Sequence, residues 1–500
     1  MNNRKNFKKI FFILTLSIFW VKGILFLDPD FGWHLRLGNL ILNSGIPKTD
    51  PFSYTMPSFP FIAHEWLTDV ILAKLYPALG QIGLAGIYTS LALFSLIISL
   101  GKAKSSYLKT LPFILGTAIL LGYSGIRHQV ISWLFLALLL KIILNESTWK
   151  KWRWMVPPFF IGWTNLHGSF AIGITTLFLV IFLKSWREKK LWLEGLLVSI
   201  LSLLATFINP YGPRLWWEIW LTFSDRSLRW TIAEWQPSLF FFNPSFTALL
   251  TLSAILIWRY RKKFKLEELG LYLLFLFQGI SSLRHIPLWV IVSLPTTITG
   301  LSWFYQEAKL IKEGRQRFAK AYNFAIAGSL TIFFLQSIFS LGGAKSITEE
   351  AFYPKKAVKF LKANLPQGQI FSEYGWGGYL IWKLPEKKVF IDGRMPSWRW
   401  QASADKESNY AMKDYNELTN GRTEYIPIFQ KYGVETVLWS PVKPKSLGEQ
   451  LEDKLKDALI RLGISKKEAD FDFLLQFQKE GWRQIYQDSL AVIYQKLPPH

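Results

Sequence analysis

Cysteine is missing from all 500 residues. That excludes disulfides, a thiolate nucleophile and a thiolate-bound metal, and it fits any redox compartment. Charge is scarce, at 19% of residues, and long apolar runs carry almost none of it. Neither a phosphate-cradling glycine-rich loop nor a Gly-x-Ser-x-Gly elbow is present. His64-Glu65 lacks the second histidine four residues on that a zincin helix requires. Only six histidines occur.

Apolar and aromatic residues fill the chain instead, at 50% and 17%. A bilayer core about 30 Å thick needs roughly 20 mostly apolar residues to cross it as helix. The pattern predicts a membrane protein with about eleven transmembrane helices, near 10–27, 81–100, 110–126, 129–144, 154–166, 169–183, 191–208, 240–258, 266–283, 286–304 and 323–341. Arg4, Lys5, Lys8 and Lys9 before Ile10–Leu27 have the look of a signal peptide. No small-residue cleavage site follows, so a retained first helix is expected.

The formal net charge of +23 sits in short clusters between the apolar runs and not on one soluble face, which argues against nucleic acid as a partner. Those clusters alternate: Lys102/Lys104/Lys109, Lys150/Lys151/Arg153, Lys184/Arg187/Lys189/Lys190, Arg259 to Lys265 and Lys309 to Lys320 share one side with the N-terminus. Lys and Arg in short loops stay cytoplasmic. The N-terminus is therefore expected inside, and residues 342–500 outside.

The opposite loops hold nearly every unusual polar residue. These are Asp28-Pro29-Asp30 with His34; His64-Glu65-Trp66; Arg127-His128-Gln129; Asn165-Leu166-His167-Gly168; Asn209-Pro210-Tyr211-Gly212; Glu234-Trp235-Gln236; and Arg284-His285. Ionisable groups at a membrane boundary are costly unless they line a wet cavity or pair with each other. Their gathering on one side predicts that seven loop tips meet in one external pocket, suited to an anionic, membrane-held substrate. Carboxylates supply base or metal-ligand capacity there, and Arg and His supply charge for a phosphate. A divalent cation on Asp28, Asp30 and Glu65 is one option. Each motif also has a plain structural reading: Asp28 or Asp30 as a helix cap, Asn209–Gly212 as a turn, Trp216, Trp217, Trp220 and Trp235 as an interfacial belt.

Residues 28–80 form a long outer loop. Asp30 to about Ser44 reads as an amphipathic helix ended by Gly45, a proline-rich irregular stretch follows, and His64 to Leu79 reads as a second helix along the membrane surface. A first span ending in an acid and followed by two such helices resembles the GT-C superfamily of integral-membrane glycosyltransferases. The branch that includes protein mannosyltransferases and the lipid A aminoarabinose transferase is closest in pattern. Asp30 matches that branch's loop Asp, and Gly45 falls at its glycine spacing. Phe31 departs from the family's Glu, with Asp28 as the nearest acid, and His64-Glu65 stands where many relatives carry Pro-Pro. The chain also resembles uncharacterised bacterial membrane proteins with Asp-Pro-Asp-x-Gly-Trp-His, Asp-Pro-Phe-Ser-Tyr-Thr and His-Glu-Trp-Leu in this loop, which implies a bacterial inner membrane.

The resemblance implies a polyprenyl-phosphate-linked sugar donor, an acceptor of unknown kind, and Asp30 or Asp28 as the base. Arg127, Arg284, His128 and His285 would receive the leaving phosphate, with His34, His64, Glu65, Asn165 and His167 completing the substrate site. A transporter or flippase, or a non-catalytic scaffold, are the alternatives. Beyond Leu341 the composition turns polar, and a small soluble α/β domain is expected. Its elements are a helix at 354–364, strands at 369–374, 388–392 and 435–439, and a hairpin about Asp488-Ser489. Gly375-Trp376-Gly377-Gly378-Tyr379 and Asp392-Gly393-Arg394 could bind a sugar there or only shape turns.

Overall fold

The computed structural model describes residues 2–101, 105–187, 192–225, 232–241, 243–398, 411–441, 471–478 and 481–497. The basic residues Lys102, Lys104, Lys189 and Lys190 and the sixth histidine, His500, lie outside them. The chain divides into two compact units: Met1–Ile46 with Ile62–Thr348, and Pro47–Phe61 with Glu349–His500. The second differs from the expected domain by taking in the middle of the segment 28–80.

The first unit is helical. Its elements are α1 (Asn2–Leu25), α2 (Phe31–Ser44), α3 (Trp66–Ser99), α4 (Thr110–Tyr123), α5 (Gln129–Ile143), α6 (Glu146–Trp152), α7 (Val156–Leu166), α8 (Phe170–Arg187), α9 (Trp192–Ala205), α10 (Pro213–Ser224), α11 (Pro244–Tyr260), α12 (Leu266–Ser281), α13 (Ile286–Lys309) and α14 (Gly314–Ser346). Each apolar run of the sequence is a helix here. Among the described residues three helices are long and apolar enough to cross a membrane: Trp66–Ser99, Leu283–Lys309 and Gly314–Ser346. Gln129–Ile143 and Glu146–Leu166 qualify only as a pair bent by 104°. The central helix is α13, which begins on Pro287 in its first turn and buries Ile286 to Leu294 on all sides, as a helix without a polar face must. It packs against α3, α4, α5, α11, α12 and α14.

Two features of the segment 28–80 fix the site. Helix α2 ends at Gly45, whose φ of +82° suits glycine and whose N–H donates to the Ile41 carbonyl. Gly38 lets α2 lie directly on α3: a Cβ there would stand 2.0 Å from the Asp69 carbonyl oxygen. Within α3, Gly80 at φ +58° breaks the helical path, dividing it near the expected boundary between surface helix and span.

The second unit is a small α/β fold. Its helices are α15 (Lys355–Ala363), α16 (Gly377–Lys383), α17 (Ala411–Thr419) and α18 (Tyr425–Tyr432), and its strands are β1 (Gln369–Ser372), β2 (Val434–Trp439), β3 (Trp482–Gln487) and β4 (Val492–Lys496). The sheet order is β1-β2-β4-β3, with β1 parallel to β2 and the other pairs antiparallel. Aromatic rings of Phe371, Phe390, Tyr415, Phe429, Trp439 and Phe473 fill its core. The expected strand at 388–392 is instead a single bridge, Ser53 to Val389. Its partner comes from the loop segment 47–61, which has no second strand's length to offer. That segment is fastened by Tyr54 Oη donating to the Ile370 carbonyl (2.9 Å) and Thr55 Oγ1 to that of Phe390 (2.7 Å).

Arg394 completes the attachment. It bonds Asp50 (2.7 Å) and both oxygens of Asp392 (2.7 and 2.6 Å), under the rings of Phe52, Phe61 and Trp398. Asp392 is thereby engaged and not open to a sugar. Gly377 lies against the Ile391 carbonyl and Asp392, where a Cβ would come within 2.4 Å, so its role is close packing.

Candidate functional site

At the end of α1 the chain turns on Asp28, whose Oδ1 accepts the Asp30 N–H (2.9 Å). The other oxygen meets Arg127 Nε at 2.6 Å, and Arg127 Nη2 bonds Glu234. Asp30 sits at the N-cap of α2, yet its side chain caps nothing; Oδ1 accepts from Trp33 Nε1 (2.9 Å). Burial, then the neighbouring Asp28 charge, push the Asp30 carboxyl up to about 7, against the weaker pull of the Trp33 bond and Arg127. Glu234 lies below the usual range: burial opposes this, and Arg127 and Arg284 outweigh it. Of the three acids around Arg127, two are charge-paired and the third, Asp30, holds a proton affinity near neutrality.

A second group gathers on Glu65 at the start of α3. His128 Nδ1 lies 2.8 Å from Oε2 and His34 Nε2 3.6 Å from it; His167 Nε2 lies 3.1 Å and His64 Nε2 3.6 Å from Oε1. Asp69, one turn on, takes His34 Nδ1 at 2.6 Å. The Trp33 ring stacks on His34 at 3.5 Å between centroids. Burial lowers His167 to about 3, and its Nδ1 accepts the Ser169 N–H (3.0 Å), so its one proton is on Nε2, facing Glu65. Burial works against the Glu65 carboxylate, but His167, His128 and His64 together hold it well below the usual range.

Contacts thus link all seven loop tips. Asp28, Arg127 and Glu234 form one chain; Glu65, His128 and His167 another; the Ala63 N–H donates to Tyr211 Oη (3.0 Å); and Arg284 and His285 flank the Trp235 ring. Arg284 lies over that ring at 5.8 Å, and among the described residues no carboxylate pairs with it.

Three expectations change. Asn165 is not open to substrate: Oδ1 accepts from Trp66 Nε1, and Nδ2 donates to the carbonyls of Ile161 and Ile208. Arg127, expected to receive phosphate, is already held by Asp28 and Glu234. Asp28, Asp30 and Glu65 are not gathered about one point; among the described residues the potential metal ligands that lie within 4.8 Å of each other are His34, Glu65 and His128. Sequence reasoning passed over Asp69, whose signal was an acid in an otherwise apolar stretch, and did not place Glu234 among the site residues.

No protein-family model matches the sequence, and comparison with curated proteins gives no match. Solved structures do match. The archaeal oligosaccharyltransferase AglB from Archaeoglobus fulgidus, in complex with an inhibitory peptide and a dolichol-phosphate, aligns over 98% of this chain and 75% of its own, at TM-score 0.57 and 12% identity. The chain thus shares the fold of this oligosaccharyltransferase structure. The Archaeoglobus fulgidus oligosaccharyltransferase tethered to an acceptor peptide aligns over 98% and 74% (TM-score 0.54, 12% identity), and its apo form over 87% and 70% (0.52, 12%). At this identity the likeness is one of fold alone.

Proposed function

We propose that this chain is a glycosyltransferase of the outer face of a bacterial inner membrane, taking a sugar from a polyprenyl-phosphate donor. Its helical unit would lie in the membrane with the N-terminus cytoplasmic, and the α/β unit outside. The observation that carries the reading is the leftover acid: beside a closed Asp28–Arg127–Glu234 chain, Asp30 alone is poised to take a proton near neutral pH. Asp28 then acts on Asp30 through charge and through the backbone bond that fixes the turn.

In the reaction the acceptor hydroxyl oxygen bonds the anomeric carbon, and its proton passes to Asp30. The bond from that carbon to the lipid phosphate oxygen breaks, and the phosphate leaves with the electron pair. Arg284, a guanidinium without a carboxylate partner among the described residues, would receive that charge, and His64, with its side chain 43% exposed, would line the approach. The dolichol-phosphate bound to the archaeal enzyme supports a lipid-linked donor.

The test is sugar release by purified protein from polyprenyl-phosphate-sugar lipids extracted from the native membrane. Turnover by the wild-type protein and its loss in Asp30→Asn are expected. Full turnover in Asp30→Asn would remove the base, and substrate flux in vesicles without bond cleavage would replace the enzyme with a transporter.

A further inference from the structure

We propose that His34, Glu65 and His128 form a binding site for one transition-metal dication, zinc by the chemistry of its donors, separate from the Asp28–Asp30 acids. The site stands independently of the glycosyl-transfer reading.

Three elements converge to build it: the first turn of α2 brings His34, the start of α3 brings Glu65, and the residue before α5 is His128. Their donor spacing suits a small tetrahedral ion. Bonds of about 2.0–2.1 Å at tetrahedral angles put ligand atoms ~3.3 Å apart. Glu65 Oε2 lies 2.8 Å from His128 Nδ1 and 3.6 Å from His34 Nε2, so the observed distances fall on either side of that value. The surrounding groups are arranged as metal sites arrange them. His34 Nδ1 faces Asp69 Oδ1 at 2.6 Å, and in the tautomer with the proton on Nδ1 its Nε2 lone pair is turned toward Glu65. A ligating histidine whose other nitrogen donates to a carboxylate is the usual support for zinc. His167, with its Nε2 proton toward Glu65 Oε1, orients that carboxylate and is not itself a ligand.

Charge supplies a separate argument. Asp69 is wholly buried, and its Oδ2 has no hydrogen-bond partner. Glu65 is buried beside it. Two carboxyl groups packed together in the protein interior are a costly arrangement unless a cation lies beside them. A dication supplies the missing charge. Two imidazole nitrogens and one carboxylate favour zinc over magnesium or calcium, which take oxygen ligands. On binding, His128 ligates through Nδ1 and its proton moves to Nε2, a change of tautomer with no change of charge. Three protein ligands leave one tetrahedral position for water or a substrate oxygen.

Full-length protein in nanodiscs would be stripped with chelator, equilibrated with zinc or magnesium chloride, gel-filtered and analysed for bound metal. About one zinc and no magnesium per chain is expected. Glu65→Gln and His34→Gln should retain at most about a tenth of that zinc, while Asp69→Asn, which keeps all three ligands, should bind zinc about 10–100-fold more weakly. Cobalt added to the wild-type protein gives a readout that needs no variant to fold, namely the intense visible bands of a tetrahedral site. Wild-type protein that retains no zinc, or that gives only the weak spectrum of six-coordinate cobalt, would overturn the site. So would folded Glu65→Gln that retains zinc fully.

Discussion

Two arginines of this chain each lie between two acids, and the difference between them separates a closed fastening from a group with an acid to spare. Arg394 in the α/β unit is closed on every side. Its side chain is 3% exposed, Asp50 and Asp392 are 0% exposed, and three aromatic rings surround the guanidinium. Each carboxylate there bonds the guanidinium, whose faces meet aromatic rings, so the group holds segment 47–61 in the unit and has no valence left for a ligand. Arg127 in the helical unit is wetter, at 22% exposure with Glu234 at 34%, and a third acid stands beside it. Two carboxylates satisfy Arg127, and Asp30 is in excess. A buried acid in excess of its cations binds a proton that it can exchange near neutral pH.

Asp30→Asn is the sharpest way to break that contrast. It should cut turnover about 10²–10⁴-fold, the usual worth of a general base, with little change in thermal unfolding, since no ion pair is lost. An equal loss of folded protein would make Asp30 a structural residue like Asp50. Next in size, Arg394→Met leaves two buried carboxylates unpaired and should cost the α/β unit about 3–5 kcal/mol, read as faster proteolysis of that unit in the full chain. Arg127→Met, in its wetter setting, should cost the helical unit less. Equal costs would erase the distinction. Smaller again, Gly38→Ala drives a methyl into the Asp69 carbonyl and should cost about 1–3 kcal/mol while disturbing the His34–Asp69 contact.

The helical half was legible because apolar runs and helices coincide: each expected span overlaps a helix, and Gly45 ends α2 where the sequence punctuates it. The gathering of polar tips was legible from their one-sidedness. The attachment of 47–61 was not, because a proline-rich stretch has no periodicity and its partners are remote, Thr55 and Phe390 being 335 positions apart. Lys388–Asp392 looked like a strand because its apolar residues are buried, but they pack without a ladder. Asn165 looked functional for want of any sequence sign that the Ile161 and Ile208 carbonyls would occupy it. Asp69, a lone acid in an apolar stretch, gave no sign of its role because its partner, His34, lies on another helix.

The most direct measurement is the pH dependence of kcat/KM for sugar release. The proposed base, Asp30, can act only when ionised, so the rate should rise about tenfold per pH unit below 7 and level off above it. Because Arg127 holds that value down, Arg127→Gln should move the rising limb to higher pH. A rate that stays flat from pH 5 to 8, roughly the range that bears on Asp30, would contradict the account.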